Sequence, residues 1–241
     1  MLLAVDKPGR ITSFDVVRIF KRHFPKQKIW HSWTLDPMAT GLMILALDKD
    51  TKKLTELIWL DKSYIATIDF SKVTDTRDME FWEKITNYEL QITNWKATGV
   101  EMEGGTAEAP SLGEIKKQLD KLIPSYDLPL PAFSAKKRAG KRSYDEARAG
   151  NIIEENKVMK VHGYEILNYA FPTLQLRLDV GSGTYIRSIW YRLGKQLGIG
   201  GTLIQLRRTS IGKYDIATIK NWENLHNRYK EKEEIIPFAQ I

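Results

Sequence analysis

The sequence predicts an α/β protein, a sheet with helices laid against it, and three observations carry that prediction. Residues 63–70 and 174–180 alternate apolar and polar side chains with a period of two, as half-buried strands do. The run Leu42 to Leu47 is apolar throughout, as expected of a buried strand. Several remaining segments place apolar residues at helical spacing behind capping residues.

Leu2 to Val5 reads as a short strand, followed by the turn Asp6-Lys7-Pro8-Gly9. Thr12 or Ser13 can cap a helix carrying Val16, Val17, Phe20 and Phe24, which Pro25 closes. Residues 31–41 then hold one carboxylate, Asp36, between Leu35 and Pro37, with the hydroxyls of Ser32, Thr34 and Thr40 and the imidazole of His31 close by. Pro37 fixes its own φ, lacks a backbone donor and pushes Asp36 toward extended geometry, so the carboxylate sits on a stiff turn. By itself this is an Asp-Pro turn ahead of the buried strand 42–47.

After that strand, Thr51 is expected to cap a short helix with Leu54, Leu57 and Ile58. Tyr64 opens the alternating strand, and the polar cluster 73–78 reads as a loop. Residues 79–110 offer no clear element. Ser111 and Glu114 form a capping box for a helix with Ile115, Leu119 and Leu122 on one face. Residues 124–131 read as an extended linker. The segment 132–150 interleaves Lys136, Lys137, Arg138, Lys141 and Arg142 with Phe133 and Tyr144, and Ser143 with Glu146 forms a second capping box ahead of Gly150. Basic side chains among aromatics suit an RNA backbone with exposed bases, and equally a solvated charged face. The strand 174–180 feeds a glycine turn and a helix with Ile186, Ile189, Trp190 and Leu193 on one stripe, stopped by Gly198. Lys220 to Glu234 reads as a charged, helix-like tract.

A chain of 241 residues can bury a sizeable core, as one large domain or one domain with an insertion. Lys and Arg number 37 against 30 Asp and Glu, a net charge of +7 that suits a polyanionic partner. Cysteine is absent, which excludes disulfides, thiolate metal sites and cysteine nucleophiles and is compatible with the cytoplasm. The four histidines lack metal-ligand spacing, and no metal site is expected. The apolar start, Met1 to Val5, is too short for a signal peptide, and no stretch is long enough to span a bilayer.

The segment His31-Ser-Trp-Thr-Leu-Asp36-Pro37-Met-Ala-Thr-Gly41 resembles the catalytic loop of the TruB family of tRNA pseudouridine synthases, G-H-x-G-T-L-D-P-x-A-x-G. His31, Thr34, Leu35, Asp36, Pro37, Ala39 and Gly41 match. The opening Asp6-Lys7-Pro8 with Thr12-Ser13 resembles the family's D-K-P-x-G-x-T-S. Asp61-Lys62 with Tyr64 resembles D-K-x-Y, and 74–78 resembles T-D-T-x-D. Pro131 to Lys136, Gly183 to Ser188 and Leu206 to Thr209 resemble three further family segments. These blocks follow the family's order over roughly residues 2 to 225.

The resemblance implies the pseudouridine synthase fold, a mixed, mainly antiparallel sheet flanked by helices. It implies a catalytic domain over 1–225 with an RNA-gripping insertion at about 76–135. Residues 226–241 are then a short tail, without a complete PUA-type domain. The implied activity is isomerisation of uridine 55 in the tRNA T-loop to pseudouridine. The N-glycosidic bond breaks, the base rotates, and a carbon link forms; no redox step is involved, so no cofactor is expected. Asp36 is the implied catalytic carboxylate. A carboxylate isolated in an apolar pocket takes up a proton unless a cation lies nearby, and the resemblance makes Arg187 that cation. Tyr64 is implied to stack on the target base, with Leu206 beneath the ring. His31 and Asp75 help hold the everted nucleotide, while Lys136, Tyr185 and Arg208 are counted as RNA contacts. The expected partner is the tRNA T-arm, with no membrane and no obligate protein partner. The alternatives are a guide-RNA-dependent relative, and an RNA-binding or tRNA-folding protein with impaired catalysis.

Four positions depart from the family. Trp30 and Trp33 stand where the loop pattern has glycine, Trp59 where many relatives have glycine, and Trp190 where a small residue is usual. Glycine beside such a loop supplies positive φ or close backbone approach. Two readings follow: the indoles are stacking platforms for RNA, or a codon that one genetic code reads as Trp is read as Gly in another.

Overall fold

A computed structural model of the chain describes residues 1–71, 109–131, 137–138, 141–142, 155–227 and 234–241. In chain order the elements are β1 (Leu2–Lys7), α1 (Ser13–His23), β2 (Ile29–His31), β3 (Thr40–Leu47), a 3-10 turn (Asp48–Lys53), α2 (Leu54–Ile58) and β4 (Lys62–Asp69). Then come α3 (Leu112–Asp120), β5 (Ser125–Pro129), β6 (Lys137–Arg138), β7 (Lys141–Arg142), β8 (Asn156–Ala170) and β9 (Thr173–Val180). The chain ends with α4 (Ile186–Leu197), β10 (Thr202–Ile211), β11 (Tyr214–Asp215), β12 (Glu223–Asn227) and β13 (Glu234–Gln240). The chain divides into two compact units, one of Met1–Ala66, Arg177–Ser182 and Gln205–Ile241, the other of Thr67–Leu176 and Gly183–Ile204.

In the first unit the strands run β12-β13-β1-β3-β10-β4-β9. The register of β1 on β3 is antiparallel, and β10 lies parallel to β3 at Thr40–Gly41. The continuous apolar run of β3 has a simple cause: both faces of the strand are covered. Met43, Leu45 and Leu47, with Leu3 and Val5 of β1, pack under Val16, Val17 and Phe20 of α1. Leu42, Ile44 and Ala46 pack on the other face with Leu54 and Leu57 of α2. A strand sandwiched in this way has no face for polar residues. The cap of α1 is Thr12, whose hydroxyl accepts from the Asp15 amide while the Asp15 carboxylate accepts from the Thr12 amide.

The edge of β3 opposite β1 is shared. β10 occupies its beginning and β2 its end, at Leu45–Leu47, so the loop 32–39 is the turn of a β2–β3 hairpin. Gly41 makes the β10 junction feasible. Its φ is +102°, and a Cβ there would lie 2.2 Å from the carbonyl oxygen of Arg208.

In the second unit β8 pairs antiparallel with β5, and α3 and α4 pack together. Its buried residues include Ile115 and Leu119 of α3, Leu174 and Leu176 of β9, and Ile189, Trp190 and Leu193 of α4. Gly198 caps α4 in the left-handed conformation, as its place after the apolar stripe predicts.

Three expectations need correction, and one strand carried no sequence signal. Thr51 does not cap α2; it lies inside the 3-10 turn, where its hydroxyl donates to the Asp48 carbonyl. The supposed linker 124–131 contains β5, recruited by the unpaired edge of β8. β8 escaped the sequence because, over fifteen residues, only Met159 and Val161 of its side chains are buried. The helix-like tract after Lys220 contains β12 and the start of β13. β13 pairs with the edge of β1 at 238–240 and in turn supplies the partner for β12, and Leu225 and Ile236 join the core under α1. Residues 137–138 and 141–142 pair as a small two-stranded sheet. The second capping box at Ser143 and most of the expected insertion lie outside the described residues.

Gly41→Ala should lower the unfolding free energy by about 2 kcal/mol or more, read from urea denaturation. Gly163→Ala, where an added Cβ meets nothing within 4 Å, is the control and should shift stability by no more than about 0.5 kcal/mol.

Candidate active site

Asp36 sits half-buried in the β2–β3 turn, and the backbone on both sides of it is pinned from the N-terminal segment. The Leu35 amide donates to the Ser13 hydroxyl (2.9 Å), and that hydroxyl lies 3.1 Å from the Leu35 carbonyl. The Pro37 carbonyl accepts from the Arg10 amide at 2.7 Å and from the Lys7 ammonium at 3.1 Å. Lys7 also donates to the carbonyls of Ala39 (2.6 Å) and Pro8 (2.9 Å), and its side chain is wholly buried. Within the turn the Ala39 amide donates to the Asp36 carbonyl at 3.0 Å, and the Ser32 amide reaches Ile44.

That Lys7 and Ser13 anchor the aspartate loop does not follow from the motif they match, although Lys7 carries a signal. Lys7 falls in phase with Leu3 and Val5, on the buried side of β1. A lysine on an inward position is rarely tolerated unless its ammonium is hydrogen-bonded. Lys62 repeats the pattern at the start of β4, in phase with the buried Tyr64, Ala66 and Ile68. Its ammonium donates to the carbonyls of Ile58 and Leu60 and lies 4.9 Å from the centre of the Trp33 ring. Burial, followed by the nearby Arg208 charge, pushes the Lys62 ammonium down to about 8.

The first unit holds Asp36, His31, Tyr64, Leu206 and Arg208; the second holds Tyr185 and Arg187. Tyr64 and Leu206 are buried, with exposures of 5% and 7%. His31 is half-buried, its Nδ1 3.2 Å from the Ser32 carbonyl. Desolvation lowers its pKa; the Ser32 contact raises it and the Arg208 charge lowers it further, so the ring is neutral at pH 7. Arg208 differs from its expected place at an RNA surface. It is fully buried, with Nε donating to Leu42 (2.7 Å) and Nη2 to the Trp33 carbonyl (3.3 Å), and it braces both sides of the hairpin. Its neighbour Arg207 makes a paired bond to the Asp6 carboxylate at 3.0 and 2.7 Å.

In the second unit Arg187 is buried at the first turn of α4, and Tyr185 is half-buried at its N-cap. The approach to that helix is tethered to β8. Thr184 donates to the Lys160 carbonyl, the Tyr185 amide approaches the Met159 sulfur, and Lys157 reaches the Gly183 carbonyl. Asp75 and Lys136 lie outside the described residues. Among the described residues no three His, Asp or Glu side chains are placed to hold a metal, and no helix is long and apolar enough to cross a membrane.

A family model described as TruB family pseudouridylate synthase (N terminal domain) matches residues 21–186, which include both Asp36 and the start of α4. The chain belongs to the TruB family. Among curated relatives it is 34% identical over 226 residues to the tRNA pseudouridine synthase B of Protochlamydia amoebophila (strain UWE25), covering 93% of this chain and 79% of that protein. It is 38% identical over 217 residues to that of Opitutus terrae, covering 90% and 83%. Among solved structures, a Cbf5-Nop10-Gar1 complex aligns over 89% of this TruB-family chain with a TM-score of 0.64 at 23% identity. An H/ACA RNP bound to a substrate RNA containing 2'-deoxyuridine aligns at 0.60 and 21%. These two likenesses show the pseudouridine synthase fold, a mixed sheet flanked by helices. The chain spans about half the length of those two solved chains, 50% and 48%.

Lys7→Met removes the donor shared by three loop carbonyls and should cost about 2–4 kcal/mol of unfolding free energy, measured in urea. Lys62 gives a pH signature. The unfolded chain holds its proton up to about 10.5 and the folded chain only to about 8, so the unfolded state binds more protons between those values. The stability of the parent chain relative to Lys62→Met should therefore rise with pH from about 8 to about 10.5 and be flat below that window, where both states hold the proton, measured by urea titrations across it.

Proposed function

We propose that this chain isomerises the T-loop uridine of tRNA, uridine 55, to pseudouridine, with Asp36 as the catalytic carboxylate. The observation that carries the reading is the double clamp on the backbone around Asp36, at Leu35 and at Pro37. A carboxylate held to a fixed position can meet a reacting centre without reorganising, which is where positioned groups gain their rate. Its presence in a TruB-family chain whose curated relatives are named tRNA pseudouridine synthase B supplies the substrate class.

The chemistry balances within the nucleotide. The bond from uracil N1 to the ribose C1′ breaks, one from C5 to C1′ forms, and the C5 proton is replaced by one on N1. Asp36 stabilises or forms the intermediate, and Arg187 is its cationic partner. Tyr64 and Leu206 contact the uracil ring, and neutral His31 packs with the everted nucleotide. Asp75, Lys136 and Tyr185 contact RNA. Catalysis belongs to residues 1–225, with the T-arm gripped by the insertion at about 76–135, and the enzyme works in the cytoplasm.

Purified protein incubated with unmodified tRNA should form pseudouridine at the T-loop position. Asp36→Asn should lower that rate on the order of 10³-fold or more while leaving tRNA affinity within about threefold of the parent. A chain that binds tRNA but forms no pseudouridine refutes the reading.

A further inference from the structure

The loop clamped around Asp36 contains one residue whose backbone suits a different side chain. Trp33 has φ +34°, on the left-handed side where a Cβ crowds the following carbonyl and only glycine rests without cost. Among the described residues three other non-glycines share positive φ. Asp48 and Asn221 are of the types that tolerate it; Arg10 is not. Trp33 is the bulkiest of the four, and its carbonyl accepts from the buried Arg208.

Three other tryptophans differ from it in kind. Trp30 and Trp59 are 56% and 73% exposed, and among the exposed large apolar residues Trp59 is the most open. Trp190 is fully buried, yet its indole Nε1 has no hydrogen-bond acceptor, where a buried indole N–H normally finds one. It lies one helical turn before Gly194, where α4 approaches the backbone of residue 200 so closely that an added Cβ would stand 2.6 Å from its carbonyl oxygen. The backbone of Trp59 is ordinary, with φ −84°, so its misfit is one of exposure alone.

We infer that position 33 is a glycine position in the protein its source cell makes, and that the tryptophan arises from a UGA codon which that cell reads as glycine. The same reassignment would put glycine at the exposed positions 30 and 59; at the fully buried position 190 a glycine would leave a cavity, and the indole there fills the core. In the native protein the backbone at 33 then reaches positive φ without strain. This inference stands on backbone geometry and does not depend on the proposed reaction.

Two measurements test it. The gene should carry UGA at codon 33, and mass spectrometry of the loop peptide from source cells should show glycine there. In the recombinant chain, Trp33→Gly and Trp33→Ala both remove the indole, but only the first removes the conformational cost. Trp33→Gly should melt about 2–4 °C above Trp33→Ala. UGG at codon 33, tryptophan in the native peptide, or Trp33→Ala melting as high as Trp33→Gly overturns the inference.

Discussion

A buried ammonium, Lys7, draws together three carbonyls, those of Pro8, Pro37 and Ala39. Two of them belong to the turn that carries Asp36, and the third to the end of β1. Carbonyl groups out of water need partners, and a single charged donor shared among three satisfies them more strongly than neutral donors would. The price is a desolvated charge, tolerable because the ammonium is fully engaged. Ser13 repeats the arrangement on the other flank, taking the Leu35 amide. The N-terminal motif and the aspartate loop, separated in sequence, therefore work as one piece of structure.

The rest of the first unit keeps that piece rigid. β3 leaves the aspartate turn and enters the middle of a sheet covered on both faces. β10 approaches its first residues closely enough that only glycine fits at 41. Arg207 and Arg208, adjacent on β10, point to opposite faces. One pairs with Asp6 at the end of β1, and the other reaches Leu42 and the Trp33 carbonyl from inside. The two arginines of the L-R-R segment thus reach Asp6 on one face of β10 and the hairpin on the other. The same burial places Arg208 away from an RNA-facing surface.

Much of this was legible in the residues. The capping boxes at Thr12 and Ser111, the apolar run of β3, the alternation of β4 and β9 and the stop of α4 at Gly198 all follow from local chemistry. Segments whose state depends on a neighbour were not legible. β5 and β8 bury few side chains and are strands because each offers the other an edge. β12 looks polar and helix-like until β13, itself paired with β1, provides its partner. Thr51 is a plausible cap by type, but the chain enters α2 through a 3-10 turn, which places the true N-cap at Lys53.

At the site the division follows the same line. Sequence alone determined the identity of the loop, the presence of one carboxylate stiffened by Pro37, the motifs in order and the four tryptophans that break the pattern. These depend on residue type and spacing along the chain. Tertiary structure decided which groups hold the loop, because Lys7, Ser13 and Arg208 reach it from distant parts of the chain. It also decided that the conflict at 33 is one of backbone angle, while at 59 it is one of exposure. Hydrogen bonds between remote segments and the sign of φ arise only when the chain closes on itself, so no local pattern of residues could have specified them.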